Sequence, residues 1–355
     1  MIKPLTSLRF VFALMVFFDH IATSAINVDI HMQWLSDNVF REGYVGVGFF
    51  FVLSGFILAY NYKDKFSKKE VNKKNFWIMR LARVYPLHLL TLYLSVPMVL
   101  MLWNYDLTGI LFPFFLNLFL LQSYILPPFE YYWSFNTVSW SVSDEMFFYF
   151  LFPFIINFLN KKKELLIALV LLACIAIPLL MLKTSNMDMR PVWFYIHPFF
   201  RIVDFLIGIL LYEIYLKMKD SKILKFASIL ELFSVLLFVL FFLFHNSVPQ
   251  VYRSSCYYWL PISSIILIFS FQKGVFSQMF LNKHLVYLGE ISYGFYMFHA
   301  LVIQYFIILN ANYSIFENYY LFVFFMLCFS IFISAICHSA FEKPINKYIV
   351  KRFCR

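Results

Sequence analysis

Charge is what this chain has least of. Only 14% of its 355 residues are Asp, Glu, Lys or Arg, against ~25% in an ordinary soluble domain. With 62% apolar residues and a mean hydropathy of +0.76, that shortage excludes a soluble globular protein. Apolar runs of about twenty residues recur to the end, the length an α-helix needs to cross a bilayer. They do not alternate polar with apolar, which excludes a membrane β-barrel. Acidic residues are fewer than basic ones, 19 against 29, for a formal net charge of +10. The positives sit in loops, and no basic face stands on a soluble domain, so nothing supports a nucleic-acid partner. Cysteines are also few: Cys174, Cys256, Cys328, Cys337 and Cys354. None forms a C-x-x-C and most lie in apolar runs, where they act as small hydrophobes. Neither a disulfide framework nor a metal site is expected. No Gly/Ser/Pro-rich linker, internal repeat or soluble extension appears. The sequence predicts an all-α, polytopic membrane protein with a single domain over residues 1–355.

Ten spans are expected, near residues 5–26, 44–62, 82–103, 139–160, 164–182, 194–216, 226–245, 254–272, 288–309 and 319–341. Their loops alternate in charge. One side holds Lys3, the basic loop from Lys63 to Arg83, Lys161 to Lys163, Lys217 to Lys225, Lys273 and Lys283, and the tail from Lys343 to Arg355. The other holds only Arg41, Lys183, Arg190 and Arg253. The positive-inside rule places the first set, and both termini, in the cytoplasm. Residues 109–122 are apolar but only fourteen long, and counting them as a span would invert every later loop. They read as a re-entrant or interfacial piece within an outer loop, Asn104 to Val138, that has no Lys or Arg. A cleaved signal peptide fits helix 1 poorly, although Ala22 to Ala25 are small: Arg9 falls where the apolar core of such a peptide should be.

Helix 1 carries what a membrane helix should not. Arg9 is near its start, Asp19 and His20 near its end. Eleven residues at ~100° each bring Arg9 and His20 onto one face, ~16 Å apart along the axis. Such a stripe is costly unless it lines a polar interior. Helix 2 opens with Gly46, Gly48 and Gly55, which permit close helix approach, and Ser54, able to hydrogen-bond across it. His31, Arg41 and Glu42, in the preceding loop, read as exposed residues. Arg80 and Arg83 are three apart at a helix start. They suit phosphate oxygens, although lipid-headgroup snorkelling explains them as well. On helix 4, Ser141 and Glu145 share a face, and Trp140 fits an interfacial belt. Asp144 and Glu145 cap a helix start or face water. Arg201 and Asp204 read as an internal ion pair. His299, mid-membrane on the face of Ser292, is a functional candidate or a hydrogen-bonded core histidine. His338 lies four before Glu342, and Pro344 is expected to stop the last helix.

These blocks, in this order, resemble the membrane acyltransferase family 3. The resemblance rests on Arg9-x10-His20, on Gly46 to Phe56, and on Arg80-Leu-Ala-Arg83-Val-Tyr-Pro86. It continues through Trp140 to Tyr149, Arg201 to Gly208, Gly289 to His299, and Glu342-Lys-Pro344. Each block alone is weak, but seven in order span essentially the whole chain.

The resemblance implies a bacterial inner-membrane O-acyltransferase, here the form without an SGNH hydrolase-like domain. Such an enzyme takes acetyl, or another short acyl group, from cytoplasmic acyl-CoA. The acceptor is a glycan hydroxyl on O-antigen, capsule, exopolysaccharide or a lipid-linked precursor. Arg80 and Arg83 would bind the CoA phosphates, and no metal is implied. His20 would act as general base or transient acyl carrier. Asp19 or Glu145 would orient it, and Arg9, Ser141 or a backbone amide would face the oxyanion. Membrane lipid is the other partner, and the oligomeric state is open. Two other classes compete. A transporter or flippase for a lipid-linked sugar or acyl donor would use the same charges as a pathway, but no pair of corresponding halves is found. A scaffold in a polysaccharide export complex leaves the shared face of Arg9 and His20 unexplained.

Overall fold

The computed structural model describes residues 2–24, 29–102, 107–125, 131–183 and 190–354. Ala25, Asn104 and Arg355 lie outside them. Every regular element among the described residues is helical. The principal helices are α1 (Lys3–Thr23), α2 (Val45–Ser67), α3 (Lys73–Leu102), α4 (Leu107–Leu118), α5 (Trp140–Lys161) and α6 (Lys163–Lys183). They continue as α7 (Pro198–Met218), α8 (Ala227–Leu243), α9 (Trp259–Ser270), α10 (Lys283–Tyr313), α11 (Tyr319–Cys337) and α12 (Lys343–Phe353). Eight helical stretches among the described residues are long and apolar enough to cross a bilayer, so the chain is an all-α multi-pass membrane protein. Two of the ten expected spans are not among the eight. One is α7, which carries Arg201, Asp204, Glu213 and Lys217. The other is α9, whose 12 residues reach only ~18 Å. The piece expected to be re-entrant is α4, also 12 residues and too short for a ~30 Å hydrocarbon core.

The chain packs as two compact units interleaved in sequence. One is Met1–Phe12, Val45–Lys73 and Phe147–Glu290; the other is Ala13–Tyr44, Lys74–Met146 and Ile291–Arg355.

In the first unit α2 and α7 cross at glycines. A Cβ on Gly55 would stand 2.0 Å from the Phe205 carbonyl oxygen, and one on Gly208 would stand 2.0 Å from that of Val52. Only hydrogen fits at either position. Beside this crossing Arg201 and Asp204 form the expected buried ion pair, 3.1 Å apart. Arg201 also donates to the Ser254 carbonyl at 2.9 Å, and the Trp259 indole donates to Asp204. Glu213 receives both Lys63 and Lys163, which ties the ends of α2, α6 and α7.

The second unit holds α3, α4, the first turns of α5, most of α10, and α11 with α12. Side chains fix α4 and the turns after it. His88 on α3 bonds the Asn117 carbonyl at 2.8 Å, and Asn117 donates to Ser134 at 2.8 Å. Gln122 donates to the Ser139 carbonyl at 3.0 Å, and Ser123 to Ser143 at 2.8 Å. A loop inside a bilayer is tolerated only where its polar groups are satisfied by protein in this way. An apolar core of Leu92, Met98, Val99, Ile110, Phe135 and Leu301 backs the network.

Four local expectations are corrected. Glu42 is buried rather than exposed, because the segment after α1 folds into short helices. Gly43 sits so close to α1 that a Cβ would stand 2.0 Å from the Met15 carbonyl oxygen. Trp140 is buried rather than interfacial, since the helix start it occupies is roofed by the network around Ser139. Arg80 and Arg83 lie seven and ten residues inside α3, which starts at Lys73. Pro344 does not end the last helix. A π-helical turn, His338–Glu342, joins α11 to α12, and Pro344 stands in the first turn of α12, where a missing N–H is tolerated.

Candidate active site

The second unit gathers most of the sequence-selected polar residues into two clusters on α10. The motif Gly289 to His299 accounts for both. Tyr293, Tyr296 and His299 are three apart in steps, so they share a stripe of the helix.

At the upper end of that stripe is an imidazole pair. His299 is fully buried. Its Nε2 lies 3.0 Å from Nδ1 of the half-buried His20 on α1, and the two rings stack at 4.9 Å with 21° between planes. His299 Nδ1 bonds the Phe295 carbonyl, one turn back, at 3.1 Å. Phe17 and Phe295 pack on the His299 ring. One turn below, the Tyr296 hydroxyl and Ser141 Oγ are 2.8 Å apart. Ser141 also donates to the Val138 carbonyl at 2.9 Å. Asp144 and Glu145 act electrostatically on Tyr296. In the turn after α4, the Tyr124 phenol is pushed up to about 12, by burial first and then by Asp144.

The second cluster stands about 9 Å along α10, six residues before His299. Glu342, buried in the π turn, pairs with Arg83 at 3.4 Å and with His338 at 3.4 Å. Arg83 lies over the Tyr293 ring at 5.8 Å, and Tyr293 donates to the Val84 carbonyl at 2.9 Å. Gly294 leaves room for the carboxylate: a Cβ there would stand 3.0 Å from Glu342 Oε1. π turns recur at functional sites because they re-aim one side chain without ending the helix. Arg80 is half-buried one turn before Arg83.

The structure thus brings together His20, His299, Ser141 and the Asp144–Glu145 pair, and separately Arg83 with Glu342. The hydrogen-bond partner of His20 is His299. Adjacent residues on a helix point ~100° apart, so Asp19 faces elsewhere, within electrostatic reach of Glu42 and Arg41. Arg9 is on α1 in the segment assigned to the first unit, as are Ser54 and Arg201. Arg201 is held by Asp204. Tyr296 is a cluster member that sequence reasoning did not single out, as are Tyr293 and Tyr124. Its signal was the spacing of three from both Tyr293 and His299.

Among the described residues no three His, Cys, Asp or Glu side chains converge as a metal site would require.

Comparison with known proteins agrees with the motif order. A family model described as "Acyltransferase domain" matches residues 3–339. Acyltransferase MdmB of Streptomyces mycarofaciens is 28% identical over 327 residues, 86% of this chain and 79% of that protein. A Staphylococcus aureus (strain COL) protein bearing an O-acetyltransferase name is 25% identical over 343 residues. That match covers 91% of this chain, which spans 55% of the staphylococcal protein. A protein of Acidianus two-tailed virus bearing an acetyltransferase name is 26% identical over 281 residues, 76% of each chain. No solved structure matches. The family match from the first residues of α1 into the π turn makes this all-helical membrane protein a member of the acyltransferase domain family, the membrane acyltransferase family 3.

Proposed function

We propose that the chain is a bacterial inner-membrane O-acetyltransferase. It moves acetyl from cytoplasmic acetyl-CoA to a hydroxyl of a cell-surface glycan or its lipid-linked precursor. The observation that carries the reading is His20: an imidazole on a membrane helix, half-buried and hydrogen-bonded at one nitrogen to a second imidazole. A membrane helix holds such a group at a cost that function justifies.

The chemistry is one displacement. His20 Nε2 takes the proton of the acceptor hydroxyl as its oxygen attacks the thioester carbonyl carbon. The tetrahedral intermediate collapses with cleavage of the C–S bond. The CoA sulfur leaves and takes the proton from His20, so the base is regenerated. Ser141 or Tyr296 would stabilise the oxyanion by turning its proton away from the partner it now bonds, the Val138 carbonyl or the other hydroxyl. Arg80 and Arg83 take the CoA phosphates, and Glu342 holds Arg83 in place for them. The positive-inside rule puts the start of α1 in the cytoplasm, so His20 stands toward the far side of the membrane. The pantetheine arm then spans the distance between the two clusters of α10.

The test is the O-acetyl content of the host's surface glycans, by proton NMR before and after mild base. Base-labile acetyl signals present in wild type and absent in both the deletion and His20→Ala strains are expected. They would also identify the acceptor sugar. Equal acetyl content in wild type and His20→Ala, at equal protein level, would overturn the reading.

A further inference from the structure

We infer that His299 is a positioning residue that fixes which nitrogen of His20 is the base, an inference that rests on the proposed function. A neutral imidazole has one N–H and one bare nitrogen. The bond network assigns them. The Phe295 carbonyl accepts only, so the His299 Nδ1 facing it at 3.1 Å carries the proton. His299 Nε2 is then bare. The nitrogen 3.0 Å from it, His20 Nδ1, must donate. That leaves His20 Nε2 as the unprotonated nitrogen. One backbone carbonyl, in the chain Phe295 O, His299, His20, thus sets the tautomer of the base two rings away.

The same chain acts during the reaction. When His20 Nε2 takes the acceptor's proton, the ring becomes a cation with two N–H groups. Its Nδ1–H bond to His299 becomes charge-assisted, about twice as strong as a neutral one. His299 strengthens its hold only as charge develops, which is what a catalytic arrangement requires. It touches no reacting atom. Full burial, with Phe17 and Phe295 against the ring, keeps it from turning over.

Two variants separate this role from packing. Gln places its Oε1 near the position of His Nε2 and can accept from His20 Nδ1–H. Met matches Gln in length and shape but supplies no comparable acceptor. A packing role favours Met, because a buried amide adds unpaired donors. The tautomer role favours Gln. The assay is transfer of label from [14C]acetyl-CoA into base-labile ester in inside-out membrane vesicles of the host, which carry their own acceptor. Rates are normalised to the amount of full-length chain in the membrane. The expected result is a kcat for His299→Met about a hundredfold below wild type with KM for acetyl-CoA unchanged. His299→Gln should stay within about tenfold of wild type. Met equal to or better than Gln overturns the inference. So does full activity of His299→Met while His20→Ala is dead. Activity in His20→Ala overturns instead the function on which it rests. Should His299→Met fail to reach the membrane, His299→Gln still decides: a rate a hundredfold or more below wild type at a normal membrane level contradicts the assignment.

Discussion

Arg201 offers a sharp test of what is structure and what is site. Its side chain and that of Asp204 are each only 2% exposed, 3.1 Å apart. Arg201 is further held by the Ser254 carbonyl and lies over the rings of Phe51 and Tyr195. Removing the carboxylate by Asp204→Ala leaves a buried cation with one carbonyl and two ring faces. Breaking a buried pair from one side costs about 3–5 kcal/mol. At about 1.4 kcal/mol per factor of ten, that is a fall of a hundredfold or more in the folded-to-unfolded ratio. Removing both charges, as Arg201→Gln with Asp204→Asn, strands no charge, keeps a donor for the Ser254 carbonyl and an acceptor for the Trp259 N–H, and should lie within about 1.5 kcal/mol of wild type. The measurement is fluorescence-detected gel filtration after graded heating in detergent, followed by acetyl transfer per folded molecule. The single variant should lose its monodisperse peak at markedly lower temperature, and the double variant should recover it. Transfer by the folded double variant should stay within about threefold of wild type. A folded double variant with no transfer would place Arg201 in the chemistry. A double variant as labile as the single one would refute the desolvation argument.

Other outcomes follow from the same geometry. Gly208→Ala puts a methyl 2.0 Å from the Val52 carbonyl oxygen and must force α2 and α7 apart, at a cost of about 1–3 kcal/mol or more. Its thermal midpoint should fall, whereas Gly48→Ala, whose Cβ would meet its nearest neighbour at 3.5 Å, should leave the midpoint almost unmoved. Glu342→Gln removes the charge that holds Arg83. The KM for acetyl-CoA should then rise about three- to tenfold with kcat changed less than twofold, checked in inside-out vesicles. Glu213→Gln weakens two ion pairs at once, Lys63 and Lys163. It should lower the thermal midpoint in low salt and nearly as much at 1 M salt, because a buried carboxylate is screened far less than a surface one.

The helices were legible because hydropathy writes them into composition. All ten expected spans overlap helices, and α4 overlaps the stretch read as re-entrant. What escaped is where one residue must be told from its neighbour. Asp19 stands beside His20 in sequence and looked like its partner, but the helix turns it away. The hydrogen-bond partner of His20 is 279 positions downstream, and no local pattern states that contact. Arg201 and Asp204 were readable because three residues on a helix share a face. The π turn was not, since it has the composition of an ordinary helix end and Pro344 mimics a stop. Glu42 looked exposed because its loop is polar, but the close approach permitted by Gly43 folds that loop against α1. The motif order was enough to place the chain in its family, while the pairings inside each motif required the fold.

The central claim is that acetyl crosses from a cytoplasmic thioester to a glycan by way of His20. The most direct measurement adds [14C]acetyl-CoA to inside-out and to right-side-out host membrane vesicles, with wild type and His20→Ala. The account predicts base-labile label in glycan only in the inside-out vesicles that carry wild type. Label in inside-out vesicles carrying His20→Ala, or equal label whichever face meets acetyl-CoA, would contradict it.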